Sequence, residues 1–560
     1  MDEIKKQLCA IMTQAVGAPL QTVEFREPPD ETMGDLALPC FEIAKKLGKN
    51  PVEAAKFLAE TLNIKFVQKA VAQGPYLNFY IKTAYLNKLV IAEKKRQGLN
   101  KEEKQRIMLE YSQPNTHKEF HVGHLRNAVL GSSLVNILRW QGHKVIAANY
   151  IGDSGVHVAK CLWNLQKFHA GDTLPENKGE YLGAVYAEAV AKLEGNENYA
   201  KEVSELQKKL EQGDPELVKL WEQTKEWSLE SFYRAYDLLQ IEFDQWFFES
   251  EEEKAGRKLL KNILKENAIP EIKKSEGAII ADLSAYGLDV LVLIKSDGNL
   301  LYGAKDLPLG IKKFQKFRID KSIYIVDMRQ SLYLKQIFKL LDLFGYSDRK
   351  KIHVAYDFVT LPEGAMASRK GNVITFENFY AEIFSHSLAE TEKRHADWTE
   401  EQRQFTAKMI SLAAIKFGML KYDNQSIIVF DVQKALAFDG DTGPYLLYAI
   451  ARINSILRKE EIVKQKINYK LLNHPAERKL ILQLAKFDET VTLAAKEYAP
   501  ARLCAYLLEL ARLFSTFYHD VPVLKAEEKT KAARLALVMK VQQVLIEGLQ
   551  LLNIDSVDEM

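Results

Sequence analysis

Two histidines, His121 and His124, stand three residues apart where a strand-like pattern gives way to a helix-like pattern. Residues at that spacing lie on one side of the first turn of a helix. Gly123 between them removes a side chain where a ligand could approach the backbone, and the start of a helix offers N–H groups and a positive dipole end to phosphate oxygens. The segment therefore predicts an anion site. The spacing alone also fits a metal-binding pair, or two polar side chains satisfied within the fold.

Two further segments could contact an anion. A basic, glycine-containing loop spans residues 366–372 and includes Arg369 and Lys370, although charge runs of this kind are often solvated surface. Gly152 and Asp153 follow the next strand-like stretch. They could bind a ligand or form an ordinary glycine turn.

The elements around the histidines form a strand–helix–strand unit. The pattern predicts a strand over residues 107–111, a helix over about 123–140 and a second strand over 144–149. Such a unit implies a parallel sheet whose ligands bind at the carboxyl ends of the strands. No Gly-x-Gly-x-x-Gly follows the first strand, which argues against a dinucleotide-dependent dehydrogenase.

The rest of the chain divides by pattern into further units. Helical periodicity mixed with a β-like stretch at 76–81 predicts a small α+β module, and a charged segment at 93–106 predicts a hinge after it. A charged helical stretch at about 160–270 predicts an insertion into the sheet, to which residues 278–294 and 321–326 should add strands. Apolar stripes at helical spacing beyond these predict a helical bundle. The predicted spans are 1–100, 101–375, 376–410 (a connecting segment) and 411–560.

Composition limits the classes of protein to consider. With 560 residues and 47% hydrophobic composition, the chain can bury several cores. The net charge of +2 gives no whole-chain attraction for nucleic acid, although a local basic surface could still bind a polyanion. The four cysteines lie far apart without a Cys-x-x-Cys pair, which argues against disulfides and structural zinc. No apolar run reaches about eighteen residues, so we expect a cytoplasmic protein without membrane association.

The segment at 110–124 resembles the HIGH motif of class I aminoacyl-tRNA synthetases, and its Pro-Asn pair and Lys118 resemble the arginyl family in particular. The resemblance implies that His121, Gly123 and His124 bind the phosphates of ATP. It also implies that the two histidines stabilise the transition state of adenylation by positioning and charge. Lys118 takes a catalytic role by the same resemblance, because arginyl enzymes often use a lysine there in place of one missing from their second phosphate loop.

That second loop is the KMSKS motif, which residues 366–372 resemble loosely. Ala365 and Ala367 replace the motif's first lysine and first serine, and Ser368 replaces its second lysine. Residues 152–155 are similar to the family's Gly-Asp-Trp-Gly turn near ATP, with serine in place of tryptophan. The resemblance thus adds six residues to the ATP site: Gly152, Asp153, Met366, Ser368, Arg369 and Lys370.

A guanidinium group is planar, permanently charged and rich in donors, so a selective pocket needs carboxylates and amide oxygens, with an aromatic wall. The resemblance implies that Asp306 pairs with the guanidinium of arginine, that Tyr302 packs beside it and that Gln330 completes the hydrogen bonds. Glu110 and Asn115 would hold the α-amino end. Each residue also has an ordinary structural interpretation, such as a helix cap or packing. Two positions depart from the family pattern: Gln113, where serine is usual, and Tyr333, where histidine is usual.

The bundle also carries a candidate RNA surface. Tyr445, Tyr448 and Arg452 run along one helix face beside an apolar stripe. Aromatic rings next to a guanidinium suit stacked, splayed RNA bases, although tyrosines at this spacing could equally fill a domain interface. The segment closely resembles the helix that leads into the arginyl family's anticodon-binding domain, which implies tRNA binding by these three residues.

The resemblance covers nearly the whole chain. It implies a multidomain α/β protein with a Rossmann-like parallel-sheet catalytic domain, a helical insertion, an N-terminal α+β tRNA-binding module and a C-terminal all-α anticodon-binding bundle. The implied activity is arginine–tRNA ligation by a monomer without a structural metal. Its substrates would be ATP with Mg2+, L-arginine and tRNA(Arg), and activation would require bound tRNA. The alternatives are a class I synthetase for another amino acid and a catalytically silent tRNA-binding protein.

Overall fold

The computed structural model of the chain describes residues 1–17, 19–21, 24–92, 104–362, 364–365, 375–459 and 467–560. Helices and strands are numbered separately in chain order. The helices are α1 Asp2–Val16, α2 Phe41–Leu47, α3 Pro51–Thr61, α4 Thr83–Ala92, α5 Val122–Trp140, α6 Val156–Phe168, α7 Lys178–Leu193, α8 Glu197–Glu211, α9 Pro215–Leu239, α10 Glu249–Glu266, α11 Tyr302–Phe317, α12 Ser331–Leu341, α13 Phe376–Arg394, α14 Glu400–Leu420, α15 Val432–Ala435, α16 Gly443–Arg458, α17 Pro475–Leu484, α18 Phe487–Glu497, α19 Ala501–Asp520 and α20 Glu528–Leu551. The strands are β1 Leu36–Pro39, β2 Val67–Gln73, β3 Tyr76–Ile81, β4 Arg106–Glu110, β5 Lys144–Ile151, β6 Gln245–Phe248, β7 Ile272–Ser275, β8 Ala278–Asp282, β9 Val290–Ile294, β10 Lys321–Asp327, β11 Lys350–Tyr356, β12 Val359–Leu361, β13 Gly364–Ala365 and β14 Ile428–Val429.

The N-terminal module combines a three-stranded antiparallel sheet, of order β1-β3-β2, with helices. The tight turn between β2 and β3 contains Gly74, whose φ of 55° lies in the left-handed region that favours glycine. Helix α3 starts with a capping box in which Asn50 and Glu53 satisfy each other's backbone N–H groups. The α+β prediction is confirmed, whereas residues 93–103 of the predicted hinge lie outside the described residues.

The central domain is built on a five-stranded parallel sheet of order β11-β10-β4-β5-β6. Leu109 pairs with Ile323 on one side and Ala147 on the other, and all three side chains are buried. Burial of this kind is typical of a parallel sheet covered on both faces. The predicted strand–helix–strand unit is confirmed as β4, α5 and β5. The carboxyl ends of β4, β5 and β10 meet at one edge, where ligands bind in such sheets.

Two predictions about this domain are wrong. Residues 278–294 add no strand to the parallel sheet, because β8 and β9 form an antiparallel hairpin within a separate sheet of order β7-β8-β9. The helical insertion ends at Leu239 rather than near residue 270, because β6 joins the parallel sheet beside β5. A strand-like pattern predicts extended backbone but does not determine which sheet the strand joins, which explains the first error. Strand β6 has only four residues, too few for a clear period in the sequence, which explains the second.

The C-terminal region is a helical bundle whose predicted apolar stripes are buried. Ile450 on α16, Phe514 on α19 and Val541 on α20 represent the three stripes, and each is at most 1% exposed. The bundle contacts the central domain where the Ser133 hydroxyl on α5 donates a hydrogen bond to the Leu551 carbonyl oxygen at 3.1 Å. Within the described residues, no helix combines the length and apolar character needed to cross a lipid bilayer.

Candidate active site

The paired histidines form a reciprocal cap at the N-terminus of α5. The backbone N–H of Gly123 donates to Nδ1 of His121 at 3.1 Å, and the backbone N–H of His121 donates to Nδ1 of His124 at 3.3 Å. The two rings stack with their centroids 3.8 Å apart. A Cβ on Gly123 would lie 2.8 Å from Cε1 of His121, so glycine is needed for this cap. The helix start therefore places both imidazoles side by side.

Both imidazoles are neutral and share one tautomer. Burial, followed by the charge of Lys118, lowers the pKa of His121 to about 4. Burial also lowers the pKa of His124 well below its usual value, with smaller contributions from His121 and Lys118. Because each Nδ1 accepts a backbone N–H, the ring proton resides on Nε2. The pair thus offers two Nε2–H donors, a pattern that suits phosphate oxygens.

The loop after β4 has an unusual backbone conformation. Ser112, Gln113 and His117 have φ angles of 72°, 52° and 61°, in the left-handed region that non-glycine residues rarely occupy. Neighbouring side chains hold it: the backbone N–H of Ser112 donates to Asn127 at 2.7 Å, and that of His117 donates to Ser228 at 2.9 Å. Strained backbone that its surroundings stabilise in this way is typical of functional sites.

Helix α9 of the insertion supports this loop along several turns. The hydroxyl of Tyr236 hydrogen-bonds with the Ser112 hydroxyl at 2.7 Å. Nδ2 of Asn149 donates a hydrogen bond to the same Tyr236 hydroxyl at 3.0 Å. The Thr224 hydroxyl, which also hydrogen-bonds with the Leu220 carbonyl oxygen within α9, hydrogen-bonds with Nε2 of His117 at 2.8 Å. The charged insertion is therefore part of the support of the site rather than a separate unit.

Gly152 and Asp153, which follow β5, have different surroundings. A Cβ on Gly152 would lie 2.1 Å from Oδ1 of Asn115, so this glycine makes room for the predicted arginine-binding amide. Asp153 is fully buried and accepts hydrogen bonds from Nζ of Lys225 at 2.7 Å and from the Ser250 backbone N–H at 2.8 Å. Its carboxylate ties α9 to the start of α10, which supports a positioning role.

The residues predicted to bind the guanidinium lie on α11 and beside it. Tyr302 and Asp306 are four residues apart on α11, so they share a helix face. The Tyr333 hydroxyl on α12 donates to Oδ2 of Asp306 at 2.5 Å. Tyr302 is 63% exposed, and Gln330 is exposed in the short turn after β10. Asp306 is thus held by protein contacts, whereas Tyr302 and Gln330 are open to solvent.

The carboxylates of this region are unevenly compensated by cations. Glu110 pairs with the fully buried Lys313 at 2.5 Å, and Glu249 pairs with Lys305 at 3.2 Å. Asp306 forms no ion pair within the part of the chain that the structure describes. Burial raises the pKa of Asp306 to about 7, and the charges of Glu110 and Glu249 add to this rise. A cationic ligand beside Asp306 would offset both the cost of burying its negative charge and the repulsion from Glu110 and Glu249.

The histidine pair and the three carboxylates Glu110, Glu249 and Asp306 lie at the carboxyl end of the parallel sheet. Nζ of Lys118 lies 5.1 Å from the ring centroid of Tyr186, and its charge lowers the pKa of His121. Glu249 acts electrostatically on Lys118 and also on Asp306. Glu249 therefore links the histidine segment to Asp306 electrostatically, and Asp306 reaches this place from α11, which follows β9 of the antiparallel sheet.

The second phosphate loop falls among residues that the structure does not describe: Met366, Ser368, Arg369 and Lys370. Its stem is described, since β12 pairs with β13 and with β14. Arg126 on α5 is 2% exposed and donates to the backbone carbonyl oxygens of Phe358 and Ser426 at 3.2 and 2.9 Å. This buried guanidinium fixes the stem to the helix that begins with the histidine pair.

The candidate RNA surface forms a compact cluster on the bundle. The Arg452 guanidinium lies over the rings of Tyr448 and Tyr518, at 4.9 and 5.8 Å from their centroids. It also donates a hydrogen bond to the Tyr448 hydroxyl at 2.8 Å. Tyr518 is 40% exposed, whereas Tyr445 packs partly against the apolar core. The arrangement holds a cation and two rings together, with Tyr445 at its margin.

Sequence reasoning did not find several residues that shape this region. Lys313 and Lys225 neutralise buried carboxylates, Arg126 fixes a loop stem, and Tyr518 completes the RNA cluster. The available signal was a basic residue inside an otherwise apolar helical stretch, as at Arg126. That signal marks a buried polar contact but does not name the partner.

Comparisons with known proteins agree along the whole chain. The family model for the arginyl tRNA synthetase N terminal domain matches residues 2–81. The model described as tRNA synthetases class I (R), catalytic domain, matches residues 86–432. The DALR anticodon binding domain matches residues 446–560. The N-terminal module, the central domain and the C-terminal bundle thus each match a domain model, and the first two of these models are described as parts of arginyl or class I (R) tRNA synthetases.

Relatives and a solved structure extend this agreement to full length. An arginine–tRNA ligase of Bdellovibrio bacteriovorus is 37% identical over 548 residues, covering 95% of this chain and 93% of that protein. One from Clostridium perfringens is 34% identical, with 100% of both chains covered. The Thermus thermophilus arginyl-tRNA synthetase structure matches 100% of both chains with a TM-score of 0.84 and 28% identity. The chain therefore belongs to the arginyl-tRNA synthetases, the class I arginine–tRNA ligases.

Proposed function

We propose that this arginine–tRNA ligase holds the phosphates of ATP with the histidine pair and the arginine guanidinium with Asp306. The observation that carries the proposal is the presence, at the carboxyl end of the parallel sheet, of two fixed Nε2–H donors and of a carboxylate that has no ion pair among the described residues. The donors complement phosphate, and the carboxylate complements a cation. Lys118 adds positive charge beside the histidines.

In the first step, a carboxylate oxygen of arginine attacks the α-phosphorus of ATP. The bond from that phosphorus to the oxygen bridging to the β-phosphate breaks, and pyrophosphate leaves with the bonding electron pair. His121 and His124 donate to phosphate oxygens as charge shifts onto them, which is transition-state stabilisation by oriented donors. Mg2+ belongs to the nucleotide substrate, because its preferred ligands include phosphate oxygens.

In the second step, a ribose hydroxyl of the terminal adenosine of tRNA attacks the carbonyl carbon of the adenylate. AMP leaves, and the hydroxyl proton passes to solvent. Tyr448, Arg452 and Tyr518 are proposed to stack on splayed bases of tRNA(Arg), with Tyr445 at the margin of the contact. The monomeric state, the cytoplasmic location and the requirement for bound tRNA during activation stay predictions.

Asp153 and Asn115 have supporting roles in this proposal. Asn115, in the space beside Gly152, contacts the α-amino end of arginine together with Glu110. Asp153 acts as a positioning residue, because its carboxylate is occupied by Lys225 and Ser250. Both residues depend on the turn after β5.

Pyrophosphate exchange with tRNA present tests the histidine role. Removing one oriented donor in His124→Ala should slow exchange by ~100-fold, while His395→Ala should retain normal exchange because His395 stacks on Trp398 after α13. Wild-type exchange in the His124 variant would contradict the proposed role. Charging assays with twenty amino acids and total tRNA test the substrate, since only arginine should be attached.

A further inference from the structure

Tyr150 presents a buried hydroxyl that has no hydrogen-bond partner among the residues that the structure describes. It lies near the carboxyl end of β5, where it pairs with Phe247 of the edge strand β6. A buried polar group without a partner destabilises a protein, and such groups are uncommon among native side chains. A ligand that donates a hydrogen bond to the hydroxyl oxygen would satisfy it.

The groups around this hydroxyl belong to the proposed guanidinium site. Burial raises the pKa of Tyr150 well above its usual value, and the charges of Asp306, Glu249 and Glu110, in that order, add to the rise. The hydroxyl therefore lies within the field of all three carboxylates, with Asp306 the strongest influence. This field favours a cationic ligand beside the hydroxyl.

Each of these carboxylates already has a protein donor. Glu110 accepts from Lys313, Glu249 accepts from Lys305, and Asp306 accepts from Tyr333. The Tyr150 oxygen is instead a neutral acceptor. It suits a donor-rich cation, because a guanidinium carries five N–H groups and a single carboxylate can accept only two of them side by side.

We propose that Tyr150 is a specificity-determining residue for arginine, whose hydroxyl oxygen accepts a hydrogen bond from the substrate guanidinium beside Asp306. This inference rests on the proposed function, because it takes Asp306 as the guanidinium carboxylate. Lysine is disfavoured at this position, because an ammonium carries its three donors on one nitrogen, whereas a guanidinium spreads five donors over a planar fork that can serve Asp306 and a separate neutral acceptor together. The phenol also adds an acceptor without adding another charge to a region that is already acidic.

The variant Tyr150→Phe removes only the hydroxyl and keeps the ring. We expect the KM for arginine to rise by roughly 10- to 100-fold, the scale for losing a hydrogen bond to a charged group. The KM for ATP and kcat should stay within about twofold, because the lost contact is uniform binding of the guanidinium. Preference for arginine over lysine should fall by a similar factor. Tyr506→Phe is the matched control, because the Tyr506 hydroxyl donates to the Gln483 carbonyl oxygen in the bundle.

Two further readouts separate binding from packing. 1-Butylguanidine, which lacks the α-amino and carboxylate groups, should lose affinity as a competitive inhibitor by the same factor as arginine. The melting temperature of the ligand-free Tyr150→Phe protein should equal or exceed that of the wild type, because an unsatisfied buried group has been removed.

Three results would overturn the inference: an unchanged KM for arginine, an unchanged inhibition constant for butylguanidine, or a lower melting temperature with equal losses for arginine and ATP. Wild-type charging is measured in the same experiment. If the wild type fails to attach arginine, the proposed function fails. If it attaches arginine and Tyr150→Phe behaves identically, only the role of Tyr150 fails.

Discussion

Arginine binding should weaken sharply below neutral pH because of Asp306. The pKa of Asp306 is raised to about 7 from its ordinary 3.8, by burial first and then by Glu110 and Glu249, while Lys313 and the Tyr333 hydroxyl oppose the rise. A guanidinium pairs with the carboxylate and not with the carboxylic acid. Binding at pH 6 must therefore displace a proton, whereas binding at pH 8 need not.

The magnitude follows from proton linkage. With a pKa of about 7, the apparent dissociation constant of arginine should be about tenfold higher at pH 6 than at its alkaline plateau, and about 100-fold higher at pH 5. The number of protons released on binding should be about 0.9 at pH 6 and about 0.1 at pH 8. The pKa of His121 lies at about 4, so that imidazole stays neutral through this window.

The same carboxyl group affects the ligand-free protein in the opposite direction. Because its folded pKa is raised, the folded state binds the proton more tightly than the unfolded state between pH 3.8 and about 7. Its contribution to stability is therefore lost as pH rises through that window, by at most about 4 kcal/mol for a rise of this size. Asp306→Asn should stabilise the ligand-free protein at neutral pH while abolishing tight arginine binding.

Isothermal titration calorimetry in buffers of different ionisation enthalpy measures both affinity and proton release. Glu119 also has a pKa raised to about 7, chiefly by burial, so Asp306→Asn is the necessary control and should bind arginine weakly with no pH dependence between pH 6 and 8. An arginine affinity that is flat from pH 8 to pH 6 in the wild type would refute the reasoning. So would proton release of equal size in the Asp306 variant.

Other predictions test separate parts of the site. Gly152→Ala should displace Asn115 and raise the KM for arginine by about tenfold, the scale for loss of one hydrogen bond to a charged group, with a smaller change for ATP in steady-state charging assays. Arg452→Ala should raise the KM for tRNA by roughly tenfold without changing the KM for arginine, because it removes the guanidinium that lies over the Tyr448 ring. Lys416→Met should remove a pH dependence of stability: burial lowers the pKa of Lys416 to about 7, so the wild type should gain stability as pH rises from 7 towards 10.5 in denaturation experiments.

Matched variants control for general damage. Gly171→Ala adds a methyl group with no heavy atom of the described chain, other than its own neighbours in sequence, within 4 Å. Arg458→Ala removes an exposed cation from the same helix as Arg452, and Lys434→Met replaces an exposed lysine on α15. Each should behave as the wild type. Equal effects in a test variant and its control would contradict the assigned role.

The sequence alone determined the elements that depend on local pattern. The unit of β4, α5 and β5 lies within about two residues of its predicted bounds, because strand and helix periodicities are properties of neighbouring residues. The stacked pair of His121 and His124 follows equally from spacing and from Gly123, since a helix start brings residues three apart together. The bundle stripes were recognisable for the same reason.

Only the tertiary structure decided which distant residues share a partner. Lys313 meets Glu110 across 203 positions of the chain, and Lys225 meets Asp153 across 72. No local period carries such information, because these pairings arise when separate strands and helices pack around one sheet edge. The hairpin of β8 and β9 shows the same limit, since its extended pattern could not specify its sheet. The buried Tyr150 hydroxyl, which has no hydrogen-bond partner in the described part of the chain, could likewise be recognised only from the packed structure. Whether a buried polar group has a hydrogen-bond partner depends on how distant segments pack together, which the local sequence does not specify.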